Sequence, residues 1–149
     1  VGVVSTVIPP ANTALTRLSK HPFALRVLFR AASVLASVAG PKAVVTQYTD
    51  RSVSDSVSKA IAEDFHEALQ QGAKAIVREN RLFASDSIQP QQLSVPVRAW
   101  HGTRDENAPL SPVQAFMTAM QGTLVSSETD HFGTLLESQR NVFSWLTTD

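Results

Sequence analysis

Short apolar runs and longer helical stretches alternate along this chain. Val1 to Ser5 (V-G-V-V-S) and Val95 to Trp100 (V-P-V-R-A-W) are runs with little charge. Runs of this kind are predicted to be strands buried in a parallel sheet. A third short strand is predicted at Thr123 to Ser126, after Gly122. From Ala11 to about Gln92 the pattern is helical: Leu15, Leu18, Phe23, Val27 and Leu28 come first, then Ala31 to Val38, with a break at Gly40-Pro41. Asp50-Arg51-Ser52 is predicted to cap a helix whose apolar residues at helical spacing are Val53, Val57, Ala60, Ile61, Phe65 and Leu69 and which stops at Gly72. A shorter helix is expected from Ala73 to Asn80, with the polar stretch Ser85 to Gln92 as a return linker. Further on, Ser111-Pro112 is predicted to open a helix ending at Gly122, and Gly133 to Leu146 forms the last one. The pattern therefore predicts an α/β fold: a short parallel sheet of about three strands with flanking helices. Three segments follow, 1–10 as a first core strand and its exit, 11–92 as a helical insertion, and 93–149 as the rest of the core.

Composition narrows this reading. The chain has 149 residues, 43% of them hydrophobic, enough for one ordinary core or a small core plus a lid. Thirteen basic and thirteen acidic side chains cancel without a long run of either sign, so neither nucleic acid nor a membrane surface is an expected partner. Near-zero net charge favours self-association. The absence of Cys excludes a disulfide framework, a thiol nucleophile and a thiolate metal site, and it fits a reducing, cytoplasmic setting. Neither a secretory h-region with a basic start nor an apolar run of about 18 residues appears in the linear sequence, so no signal peptide or membrane span is expected. No histidine pair lies at metal-ligand spacing, so no metal is expected. Residue 1 is Val, and V-G-V-V-S already reads as an interior strand, which suggests a fragment.

Two residues carry candidate chemistry. Asp105 lies just past the carboxyl end of the Val95 strand, the rim at which open parallel sheets bind ligands. His131 occupies the equivalent loop after the next strand. A neutral imidazole can accept a nucleophile's proton, while a carboxylate on its other nitrogen fixes the tautomer and stabilises the imidazolium. Glu106 and Asp130 are rival acids: Glu106 is expected to face solvent, and Asp130 adjoins the histidine too closely to reach its far nitrogen. His21, before Pro22, reads as capping or hydrating a surface helix, His66 as lying on a helix, and Trp100 and Trp145 as core aromatics. Phe132 packs or lines a pocket.

The stretch G-T-R-D-E-N-A-P, followed by D-H-F at the start of the last helix, resembles the C-terminal third of an α/β-hydrolase. The resemblance implies that Asp105 is the triad acid and His131 the base, with Pro109 in its usual place and His101, in W-H-G, at a structural position. It places the three strands side by side in chain order and makes 11–92 a cap over the catalytic rim. It also implies a nucleophile upstream of Val1, either Ser or Asp, because no G-x-S-x-G occurs in the chain. Asp130 departs from the pattern, which usually has Gly before the histidine. The implied activity is cofactor-independent hydrolysis of an ester, amide or similar small, partly apolar substrate. The alternatives are a dehalogenase or an epoxide hydrolase with an Asp nucleophile, and a non-catalytic ligand-binding or interaction module; epoxide hydrolases of this fold usually use a pair of cap tyrosines, so the single Tyr48 argues weakly against that one chemistry. On this reading the chain by itself is inactive, and either a homo-oligomer or a missing N-terminal half covers its open strand.

Overall fold

A computed structural model describes residues 1–70 and 73–148; the predicted helix stop at Gly72 lies outside them. The chain forms two compact units, one made of Val1–Pro9 and Ser87–Asp149 and the other of Pro10–Asp86.

The first unit is a mixed α/β layer. Strands β1 (Gly2–Val4), β2 (Arg98–Gly102) and β3 (Thr123–Ser127) form a parallel sheet in the order β1-β2-β3. The register aligns Val4 with Trp100 and Trp100 with Val125. Helix α6 (Leu110–Ala119) covers one face, where Val113 and Met117 pack with Ala99, and Val3 and Leu124 join the cluster. Helix α7 (His131–Leu146) covers the other, where Trp145 meets Trp100 edge to face at 5.8 Å between ring centres. The Arg98 guanidinium lies 5.3 Å from the centre of the Trp145 ring, a cation–π contact.

The element boundaries depart from the predicted ones for local reasons. Strand β2 begins at Arg98, three residues late, because Pro96 has no N–H for the ladder. It also runs through His101 to Gly102, which puts His101 in the sheet rather than in a loop. Helix α6 starts at Leu110 with Pro109 at the N-cap position, so Ser111-Pro112 falls in the first turn, where backbone N–H groups lack helical partners. Helix α7 starts at His131 rather than Gly133, because the Asp130 carboxylate accepts the Gly133 N–H at 2.7 Å and so caps it.

The second unit is all helical. It contains α1 (Ala14–Leu18), α2 (Pro22–Ala39), α3 (Pro41–Val45), α4 (Asp55–Gln70) and α5 (Lys74–Ser85). A Thr13–Thr16 capping box opens α1, and prolines open α2 and α3. Gly40 separates α2 from α3 at φ 81°, the left-handed region that glycine enters at little cost. The predicted cap at residues 50–52 is replaced by Ser54, whose hydroxyl accepts the Val57 N–H at 3.3 Å. Helix α5 runs five residues past Asn80 and takes in Phe83. The core is a cluster of Ala36, Val44 and Ala62, against which Tyr48, Ile61 and Phe65 pack. Burial there raises the Tyr48 phenol above its ordinary pKa.

One helix corrects the reading that no long apolar run exists. The 18 residues of α2 are apolar enough, by length and composition, to cross a membrane, with a mean hydropathy of 1.5. Arg26 and Arg30 interrupt the run and hide it in the linear sequence.

Candidate active site

Asp105 and His131 meet at the carboxyl-terminal rim of the sheet. Asp105 sits three residues past β2, and His131 is the first residue of α7, four past β3. The imidazole Nδ1 lies 2.8 Å from Asp105 Oδ2, a hydrogen bond in which Nδ1–H donates to the carboxylate. The neutral ring therefore carries its lone pair on Nε2, the atom a general base uses. The Asp105 side chain is fully buried, while that of His131 is 29% exposed.

The acid is held from three directions. Its Oδ1 accepts the backbone N–H groups of Asn107, at 3.0 Å, and Ala108, at 2.8 Å, an Asx-type turn that fixes the carboxylate plane. Burial alone would raise its pKa. The hydrogen bond from His131 and that from Ala108, with the field of the two nearby imidazoles, outweigh it and hold the carboxyl below its ordinary value. Asp105 is thus ionised at neutral pH.

His101 is buried beneath this loop, and its Nε2–H donates to the Ala108 carbonyl at 2.7 Å. The same nitrogen lies 3.8 Å from Asp105 Oδ2. The ring acts as a clasp that closes residues 102–108 around the carboxylate, in line with its structural reading.

The two loops are also stitched to each other. Thr103 N–H donates to Ser127 O at 2.8 Å, and Arg104 N–H donates to Thr129 O at 3.1 Å. The buried hydroxyls of Thr129 and Thr134 are 2.7 Å apart, which ties the turn before His131 to the first turn of α7. This approach requires Gly102: a Cβ there would collide with the Thr129 carbonyl oxygen and come within 2.7 Å of Thr134 Oγ1. Residue types at those positions gave no warning of these contacts, which are between backbones distant in sequence.

Ser5 is the other site residue that sequence reasoning missed. Its Oγ donates to the backbone carbonyl of His131 at 2.8 Å, and its N–H donates to Trp100 O at 3.0 Å. Its φ of 44° lies in the left-handed region, uncommon for a residue with a Cβ. A strained residue at a strand's carboxyl end, bonded to the histidine backbone, is a signal that only coordinates reveal.

The rival acids are placed elsewhere. Glu106 is exposed, and Asp130 serves as the cap of α7. Trp100 is buried and Trp145 half-buried in the core, and Phe132, beside His131, is half-buried. His66 packs edge-on against Phe65 on α4, and His21, at the N-cap position of α2, makes no side-chain cap bond. No group of three or more His, Cys, Asp or Glu among the described residues is placed to hold a metal ion.

Fold and site together define a small parallel α/β layer with an aspartate–histidine pair on its carboxyl rim. No family model matches the chain, and no curated protein or solved structure matches it either.

Proposed function

We propose that Asp105 and His131 are the orienting acid and general base of a cofactor-independent hydrolase of the α/β-hydrolase type, acting on a small, partly apolar ester or amide. The observation that supports this is the 2.8 Å bond from His131 Nδ1 to a buried, ionised carboxylate, which leaves Nε2 as the proton acceptor. The nucleophile, Ser or Asp, lies outside this chain, and residues 11–92 are the helical cap domain of such an enzyme. With Ser as the nucleophile, His131 takes the hydroxyl proton through Nε2 as the oxygen attacks the acyl carbon and passes it to the departing alcohol or amine; it then takes a proton from the water that attacks the acyl-enzyme and returns it to the Ser oxygen as the acid product leaves. Asp105 holds the ring and stabilises its charge throughout. The absence of Cys accords with a cytoplasmic enzyme. The test is turnover of p-nitrophenyl esters by the chain joined to its nucleophile-bearing half, compared with the His131→Ala protein; the chain without that half should show background hydrolysis only.

The same reading includes self-association. Among the described residues β1 is the edge of the sheet, a Val-rich strand paired on one side with β2. Such an edge invites pairing with a second chain, and zero net charge opposes it little. The expected assembly is a homodimer or larger oligomer burying more than about 1,000 Å². Light scattering over a dilution series checks it, and a stable monomer at high micromolar concentration would contradict it.

A further inference from the structure

Helix α2 turns its two sides to different surroundings. Leu25 and Ala36 are buried against the other helices of its unit. The opposite side is apolar and exposed: Phe23, Val27, Val34 and Val38, spaced four, seven and four residues apart, form a stripe that Leu28 and Leu35 widen. Phe23 is 78% exposed, Leu35 67% and Val38 83%, and a contiguous apolar patch of this kind marks a surface that something covers. Nothing polar interrupts the stripe; the polar side chains of α2 lie along its margin, and the charged ones are Arg26 and Arg30.

Charge decides between occupants. No Asp or Glu occurs before Asp50, whereas Arg17, Lys20, Arg26, Arg30 and Lys42 all do. Lys42 is paired with Asp55 at 3.3 Å, but among the described residues neither Arg26 nor Arg30 forms an ion pair. Both line a cavity of about 720 Å³ with Lys74, against the apolar walls of Phe29, Val34 and Leu69. A second copy of α2 would bring these like charges together across the seam. An anionic, apolar partner satisfies the stripe and the cations at once.

We infer that α2 docks on an anionic lipid surface, lying in the plane of the membrane with its apolar stripe among the acyl chains and Arg26, Arg30 and Lys74 at the phosphate level. It lies flat and does not cross, because crossing would strip Leu25 and Ala36 from the helices they pack against and carry two arginines into hydrocarbon. The inference is independent of the proposed hydrolysis, since none of these residues belongs to the Asp105–His131 site.

The test is flotation of the chain with vesicles of phosphatidylcholine and phosphatidylserine in about a two to one ratio, against phosphatidylcholine alone. Binding to the mixed vesicles only, weakened by high salt, is expected. Val34→Asp with Val38→Asp should abolish it; both positions are exposed, so far-ultraviolet circular dichroism should be unchanged. Arg26→Gln and Arg30→Gln should each weaken it about fivefold, which corresponds to about 1 kcal/mol per basic residue near such a surface. Equal binding to both vesicle types, or none to either, would overturn the inference. So would a dimer that Val34→Asp with Val38→Asp dissociates while the unmodified chain ignores the vesicles, which would assign the stripe to self-association.

Discussion

Replacing His131 by Ala is expected to lower kcat for ester hydrolysis by roughly four orders of magnitude in the protein that carries the nucleophile, and Asp105→Asn by a comparable factor. The second substitution is the more telling because it leaves the loop intact. An Asn oxygen can still accept the Asn107 and Ala108 N–H groups that Asp105 Oδ1 accepts. Its amide, however, would offer N–H to His131 Nδ1 where the carboxylate now accepts from it. The ring would then move its proton to Nε2 and lose the lone pair that makes it a base. KM should change far less than kcat, since neither group serves to hold the substrate's remote parts. Turnover within about tenfold of the unmodified protein for either variant would remove both residues from the mechanism.

Gly102→Ala is expected to be the most damaging single methyl in the chain, costing about 3 kcal/mol or more by urea denaturation. The added Cβ would meet the Thr129 backbone carbonyl, which cannot yield as a flexible side-chain tip can, and also Thr134 Oγ1. Relief requires the β2 exit and the turn before α7 to separate, which breaks the Arg104–Thr129 and Thr103–Ser127 bonds and draws Asp105 away from His131. Stability and the dyad should therefore fail together. A loss below about 1 kcal/mol would mean that the two loops are not in contact as described.

Much of the sheet and the site was legible because both depend on short-range signals. Charge-poor runs bounded by Pro and Gly marked the three strands, and their observed parallel order follows the chain. Asp105 and His131 were legible because each follows a strand at the rim where crossover loops converge. What escaped was tertiary. Ser5 bonds His131 across most of the chain length, and His101 became a clasp because β2 continues two residues past Trp100. Helix starts moved where an unexpected side chain supplied the cap, Asp130 for α7 and Ser54 for α4. The apolar side of α2 was overlooked for a different reason: a linear run broken by two arginines becomes an unbroken stripe only when wound at helical period.

The central claim is that Asp105 sets the tautomer of His131, and long-range proton–nitrogen NMR of the chain reads this directly. Under mildly alkaline conditions, with the ring neutral, His131 should show a protonated Nδ1 and an unprotonated Nε2, and Asp105→Asn should reverse that assignment. A ring protonated on Nε2 in the unmodified chain, or one that Asp105→Asn leaves unaltered, would contradict the account.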